Sequence, residues 1–324
     1  MIKTRLTKRY NLTHPVLSAP MANASGGALA AAVTQAGGLG FIGGAYGDTD
    51  WTMQAFDDAG NAKVGCGFIT WKLAQNPDLL TQVLAREPAA LFLSFGDPVP
   101  FVDQIAAADV PLICQVQTLR DAKHAADLGA DVIVAQGAEA GGHGEGRATM
   151  TLVPEVADWL AVNAAGVLLV AAGGIADGRG LAASLMLGAD GVLVGSRLWA
   201  SDESLAHPNM VEAGIAATGD ETLRSTVMDV ARGLGWPERY TARVLQNAFT
   251  DQWHGDLDGL LATAESEAAR WATAWDAGDT EVANTFVGEA AGLIHSRGPA
   301  GEIIENMVTE AEALMRRSLA RLGE

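Results

Sequence analysis

Cysteines, aromatic residues and basic residues are all scarce in this chain of 324 residues. Its only cysteines, Cys66 and Cys114, lie inside apolar runs, as reduced core residues usually do, so we expect no disulfide and no metal site. The 21 basic residues are outnumbered by 39 acidic ones, which gives a net charge of −18. Such a surface repels phosphate backbones, and this argues against nucleic-acid binding.

Long apolar segments are missing as well. No stretch approaches the roughly 20 apolar residues that a membrane span needs. The charged N-terminus, Met1–Arg9, is not followed by the apolar core of a secretory signal. We therefore expect a cytoplasmic protein that does not bind membranes. What the chain does have is 38 glycines in a composition that is 49% hydrophobic, which is typical of a packed α/β enzyme.

Short apolar runs alternate with helix-like segments through the first 200 residues. Eight runs read as buried strands: Val16–Ala19, Leu39–Ile42, Lys63–Thr70, Ala90–Phe95, Pro111–Val116, Asp131–Ala135, Val167–Ala171 and Gly191–Val194. The intervening segments read as helices, for example Gly27–Ala36, Asn76–Arg86, Leu119–Leu128 and Arg179–Leu187. Eightfold alternation predicts a (β/α)8 TIM barrel, with an open doubly wound sheet as the alternative.

The pattern changes after Trp199. Residues from about 201 to 292 are helix-like and predict an appended helical subdomain. The last stretch, Ala300–Leu322, has the pattern of an amphipathic helix that packs back on the barrel. We therefore predict a barrel from residues 1–200 plus about 293–324, with the helical subdomain between them.

One glycine-rich loop has the composition of an active site. It follows the run Asp131–Ala135 and reads Gln136-Gly-Ala-Glu-Ala-Gly-Gly-His143. Its glycines let the backbone turn sharply and approach a ligand closely. His143 at its end has the side chain whose ordinary pKa, about 6.5, lies nearest neutrality. We predict that His143 is a catalytic base.

Two further glycine turns follow the seventh and eighth runs, where barrels often bind phosphate. Gly173, Gly174, Gly195 and Ser196 offer backbone N–H groups there, and Ser196 adds a hydroxyl. The turns predict a phosphate-bearing ligand. We expect Asp177 to cap the next helix. Arg197 fits either a phosphate contact or an outward salt bridge.

Taken together, these segments resemble the FMN-dependent nitronate monooxygenases. The resemblance covers nearly the whole chain and rests on Ser18-Ala-Pro-Met-Ala22, Gln136–His143, Ala172-Gly-Gly-Ile-Ala-Asp-Gly-Arg179, Leu187–Arg197 and Ala291-Gly-Leu-Ile294. It implies a flavin whose ring lies over the strand ends. The sequence departs from the commonest pattern at Ser196, where Thr is frequent, and at Gln115, where some members have Lys.

The resemblance also implies roles for individual residues. His143 would be the active-site histidine and Gly142 would approach the flavin ring. The remaining cofactor-binding residues would be Pro20, Met21, Ala22, Gly67 and Gln115 beside the ring, and Gly173, Gly174, Gly195 and Ser196 at the phosphate.

The predicted activity is oxidation of alkyl nitronates, and of nitroalkanes if a base first deprotonates them, by O₂ to a carbonyl compound and nitrite. A homodimer is also possible. One alternative is an NAD(P)H-dependent FMN reductase of the enoyl-acyl-carrier-protein reductase II or quinone reductase type. A flavin-free phosphate-sugar isomerase or lyase and a non-catalytic flavin-binding protein are the others. Lys72 fits a Schiff-base nucleophile of a different barrel chemistry, but we expect it to be a surface lysine beside Trp71.

Overall fold

The computed structural model describes residues 1–320, and eight of its eleven strands appear where apolar runs occur in the sequence. The strands are β1 Val16–Ser18, β2 Phe41–Gly43, β3 Gly65–Ile69, β4 Leu91–Ser94, β5 Leu112–Val116, β6 Val132–Gln136, β7 Gly142–Gly144, β8 Leu168–Ala172, β9 Gly191–Val194, β10 Thr222–Ser225 and β11 Thr241–Leu245. All eight predicted strands form, each within two residues of its expected ends.

Sixteen α-helices and four 3₁₀ turns lie between or after the strands in the described part of the chain. The helices are α1 Arg5–Arg9, α2 Gly27–Gln35, α3 Thr49–Asp58, α4 Thr70–Leu73, α5 Asp78–Leu84, α6 Val99–Ala107, α7 Leu119–Asp127, α8 Thr149–Asn163, α9 Gly178–Met186, α10 Ser196–Trp199, α11 Pro208–Ala216, α12 Val227–Ala231, α13 Ala248–Trp253, α14 Leu257–Ala262, α15 Ala264–Ala277 and α16 Ala300–Ala320. The 3₁₀ turns are Ala22–Ala24, Ala45–Gly47, Gly219–Glu221 and Glu289–Leu293.

Eight parallel strands form a closed barrel in the order β1-β9-β8-β6-β5-β4-β3-β2. The two ends of this sheet meet through a bridge between Leu17 and Leu39. There the Ser18 N–H donates to Leu39 O at 3.1 Å, and the Leu39 N–H donates to Val16 O at 3.0 Å. The (β/α)8 prediction is confirmed, and the open sheet is excluded because its edges are joined.

Both faces of the barrel strands are buried. Along β6, Val132 and Val134 point into the barrel interior, whereas Ile133 packs in the layer between sheet and helices. A strand that is buried on both faces needs apolar residues at successive positions rather than at alternate ones. This explains why the runs were recognisable in the sequence.

The last helix packs back on the barrel as expected. It lies against α9 and α2, and a Cβ on Gly178 would come within 2.4 Å of the Ala311 nitrogen. Gly178 thus allows the two helices their close approach. The predicted helix end at Leu322 lies outside the described residues, and the division of the chain into two domains stays a prediction.

The segment 201–292 is not wholly helical. It contains β10 and β11, which form an antiparallel sheet with β7 from the barrel loop. Ala242 pairs with His143, and Arg243 pairs with Gly142. The segment also has an apolar core around Met228, Phe249 and Trp271, which Trp199 at the end of the barrel part joins. It therefore lies against the loop that bears His143. Among residues 1–320, none of the helices combines the length and apolar character needed to cross a bilayer.

Candidate active site

A cavity of about 600 Å³ opens at the carboxyl ends of the barrel strands, between the barrel and the segment 201–292. The carboxyl end is where barrels of this kind place their active sites. All eleven residues selected from the sequence line this cavity: Pro20, Met21, Ala22, Gly67, Gln115, Gly142, His143, Gly173, Gly174, Gly195 and Ser196. The fold thus brings together residues that are up to 176 positions apart. Their contacts with a ligand stay predictions.

The backbone is strained around this cavity. Ala22, Tyr46 and Phe95 follow β1, β2 and β4, and their φ angles are 41°, 57° and 60°. Left-handed backbone costs a residue with a Cβ roughly 1–2 kcal/mol. All three residues line the cavity, and strained residues tend to cluster at functional sites.

Two glycine turns form a cradle of N–H groups at one side of the cavity. Gly173 and Gly174 have φ angles of 103° and 73°, which side chains rarely adopt. The N–H groups of Gly173, Gly174, Gly195 and Ser196 make no hydrogen bond to another residue within 1–320. The Ser196 hydroxyl accepts from the Gly288 N–H at 3.0 Å, so its own hydrogen is free to donate. Such a set of donors fits a phosphate.

Gly67 serves the cavity wall indirectly. A Cβ at this position would lie 2.5 Å from the Pro20 side chain. The missing side chain therefore lets Pro20 pack directly against β3. Gly142, in contrast, has no atom within 4 Å of the place a Cβ would occupy. Its φ of 71° explains why glycine is suited to this turn.

His143 is buried, with 6% of its surface exposed. Its Nε2 lies 2.9 Å from Asp229 Oδ2, and its ring stacks on Trp236 with the centroids 3.4 Å apart and the planes within 6°. Burial lowers the pKa of His143 below 6.5, and the hydrogen bond with Asp229 offsets only part of that effect. The imidazole is therefore neutral near pH 7 and can accept a proton.

Three glutamines connect the cavity wall to the histidine. Gln115 and Gln117 donate to Gln136 Oε1 at 3.1 and 2.7 Å. Gln136 in turn donates to the His143 carbonyl at 3.2 Å. Gln115 thus supports the loop of His143 besides lining the cavity. This role was not apparent from the sequence.

Sequence reasoning did not find the site residues Asp229, Arg232 and Trp236. The Arg232 guanidinium lies 4.0 Å from Asp229 Oδ1, and Nη1 donates to the Tyr46 hydroxyl at 3.2 Å. Arg232 and Trp236 both line the cavity. The sequence does contain an indication that Asp229 is a functional residue, because it is the one carboxylate in the otherwise apolar helix α12, Val227–Ala231.

Other polar residues singled out from the sequence lie outside the cavity. Asp177 caps α9 by accepting from the N–H groups of Arg179 and Gly180, as expected. Arg197 does not line the cavity, and its Nη1 is buried without a hydrogen-bond partner among residues 1–320. Lys72 also lies outside the cavity lining and donates to Gln75 at 2.9 Å. Its position gives no support to Schiff-base chemistry.

The remaining histidines and the cysteines do not share the setting of His143, which pairs with a buried carboxylate and stacks on an indole. Of the other five histidines only His207 lines the cavity, and its Nδ1 accepts from the Asn209 N–H at the start of α11. Cys66 and Cys114 are buried free thiols, as expected.

Comparisons with known proteins identify the family. The family model for nitronate monooxygenase matches residues 3–62 and 69–310. A nitronate monooxygenase, npaC, of Metarhizium robertsii is 34% identical, covering 95% of this chain and 93% of the relative. A nitronate monooxygenase of Neurospora crassa is 31% identical, covering 93% and 90%. The structure of FabK from Thermotoga maritima superposes with a TM-score of 0.85 at 29% identity, covering 99% of this chain and 100% of that one. The chain therefore belongs to the nitronate monooxygenase family of oxidoreductases, as its motifs predicted.

Proposed function

We propose that this chain binds FMN at the barrel mouth and oxidises alkyl nitronates with O₂. In this reaction two nitronate ions and one O₂ give two carbonyl compounds and two nitrite ions. When bound, FMN supplies the electron transfer between nitronate and oxygen. The observation that supports this proposal best is a single cavity lined by both the glycine cradle and His143. The relatives named as nitronate monooxygenases give the substrate class.

The residues present fit the cofactor. The N–H groups of Gly173, Gly174, Gly195 and Ser196, which lack partners in the described chain, would hold the phosphate. Pro20, Met21, Ala22 and Gly67 would lie beside the flavin ring, with Gln115 and Gly142. The short side chain of Ala22 and the missing Cβ of Gly142 leave room for a flat ring system.

His143 would extend the substrate range to neutral nitroalkanes. A proton on the carbon next to a nitro group must be removed before oxidation, and a neutral imidazole can accept it. The imidazolium then lies beside the anionic nitronate and stabilises it. A nitronate supplied as such needs no base, so the two substrate forms separate proton abstraction from the later steps.

The test is anaerobic mixing of the FMN-loaded protein with ethylnitronate and, separately, with NADPH and NADH, followed by flavin absorbance. We expect bleaching of the oxidised flavin by nitronate, and nitrite with a carbonyl product once O₂ is admitted. Fast reduction by a nicotinamide and none by nitronate would overturn this proposal. Failure of the protein to bind added FMN would overturn it as well and favour the flavin-free isomerase or lyase.

The second candidate is an NAD(P)H-dependent flavin reductase. It is favoured by the similarity to FabK over nearly the full length of both chains. The same mixing experiment distinguishes the two functions, because each predicts a different electron donor. Flavin binding without turnover in any arm would indicate a non-catalytic flavoprotein.

The acid limb of the pH profile should lie below pH 6.5. Burial lowers the pKa of His143, so the neutral form that accepts the proton persists to lower pH than for free histidine. Activity is present above the lowered pKa and is lost as the pH falls through it. Initial rates of nitrite release from nitroethane between pH 5 and 8 measure the limb. An acid limb centred above pH 6.5 would contradict the prediction.

A further inference from the structure

We propose that Asp229 is a positioning residue that holds His143 in the tautomer protonated at Nε2, so that Nδ1 accepts the substrate proton. This inference rests on the proposed function of His143 as a base. It assigns the reacting nitrogen and gives a role to a carboxylate outside the barrel. Asp229 lies 86 residues beyond His143, in helix α12 of the segment 201–292.

The geometry of the pair fixes the tautomer. Nε2 lies 2.9 Å from Asp229 Oδ2, and a carboxylate can only accept a hydrogen bond. Nε2 must therefore bear the hydrogen, and Nδ1 of the neutral ring has its lone pair free. Both side chains are nearly enclosed, with 5% and 4% of their surfaces exposed. Water cannot easily replace either partner.

Nδ1 has no hydrogen-bond partner among residues 1–320, and it is not fully enclosed. It therefore keeps some accessible surface, and His143 lines the cavity. Nδ1 is thus the ring nitrogen that a substrate carbon can approach.

The ring is restrained in two independent ways. The indole of Trp236, parallel to the imidazole at 3.4 Å, holds the plane of the ring. Stacking alone would still permit a half-turn about the Cβ–Cγ bond, which would put Cε1 in the place of Nε2 and Cδ2 in the place of Nδ1. The hydrogen bond to Asp229 prevents this half-turn, because it would leave the buried carboxylate without its donor.

The carboxylate also has a nearby positive charge. The Arg232 guanidinium lies 4.0 Å from Oδ1, an atom that is buried and has no hydrogen-bond partner within the described residues. Arg232 is held by the Tyr46 hydroxyl and lies over the Tyr46 ring at 4.8 Å. Its charge offsets part of the cost of burying a carboxylate. The positive charges of Arg232 and Arg224 also lower the pKa of His143, although less than its burial does.

The proposed proton transfer conserves atoms and charge. The Cα–H bond of the nitroalkane breaks, its proton goes to Nδ1, and its electron pair moves onto the nitro group to give the nitronate. The imidazolium keeps its hydrogen at Nε2, where the Asp229 carboxylate stabilises the new charge.

The first test is Asp229→Asn. The amide can present its NH₂ group to Nε2, which would move the ring hydrogen to Nδ1 and block the base. We expect kcat for nitroethane to fall by about 10²- to 10⁴-fold, and the ratio of nitroethane to ethylnitronate turnover to fall at least tenfold. The matched control is Asp258→Asn, at an exposed aspartate of helix α14, with both activities unchanged. Equal losses on the two substrates would overturn the proposal.

The second test does not depend on the variant folding. Nitrogen-15 NMR of the histidine-labelled, FMN-loaded protein near pH 7.5 should show His143 protonated at Nε2 and unprotonated at Nδ1, with His143→Asn used to assign the signals. A hydrogen on Nδ1 would overturn the proposal. Absence of turnover of both substrates by the unaltered protein would instead overturn the proposed function, while the NMR still reports the tautomer.

Discussion

Replacing His143 with asparagine is expected to lower kcat/KM for a neutral nitroalkane by about 10²- to 10⁴-fold, the range that a positioned general base contributes. Asparagine cannot accept a proton at neutral pH. The glycine cradle lies on other strands, so the variant should still bind FMN. Nitrite release measures the rate, and flavin absorbance after gel filtration measures cofactor retention.

A matched control for this substitution is His124→Asn, because His124 is exposed on α7 and pairs with the exposed Asp97. This variant should behave like the unaltered protein. A rate on nitroethane within threefold of normal for His143→Asn would refute the role as base. Loss of FMN from that variant would instead make the histidine structural.

The second large effect is expected at Gly173. An alanine there would need a backbone with φ near 103°, and its Cβ would lie 2.9 Å from both Gly137 O and Thr149 Oγ1. The loop must move, and the N–H donors of the cradle move with it. Losing one or two hydrogen bonds to a charged phosphate, at about 1.5–3 kcal/mol each, should raise the Kd for FMN at least tenfold.

Flavin fluorescence titration of the apoprotein measures this affinity. The control is Gly166→Ala, because Gly166 has no positive φ and no atom within 4 Å of the new Cβ. Its FMN affinity should be unchanged. Unchanged affinity in Gly173→Ala would show that the turn after β8 does not hold the cofactor.

The barrel and its strand ends were predictable because local sequence determines them. A parallel strand buried on both faces appears as an unbroken apolar run, and β6 and β8 are clear examples. The residues at the carboxyl ends of such strands must then meet at one mouth. That geometry is why the selected glycines, Pro20 and His143 all line one cavity.

The partners of His143 were not predictable in the same way. Asp229 and Trp236 reach the histidine only after the segment 201–292 folds over the loop. The sequence predicts a loop that ends at His143, because Gly142–Gly144 has two glycines and no apolar pattern. Gly142–Gly144 becomes a strand because β11 supplies hydrogen-bond partners for it. Short strands of this kind depend on a distant partner rather than on their own residues.

The pairing of β7 with β11 means that the candidate active site is built from two separate parts of the chain. The proposed cofactor cradle depends on the turns after β8 and β9, whereas the proposed base depends on β11, Asp229 and Trp236. Substitutions in the second set can alter or abolish proton abstraction without weakening the hold on the flavin. Under the proposed roles, a change confined to the appended segment would exchange one flavin chemistry for another while the cofactor site stays the same.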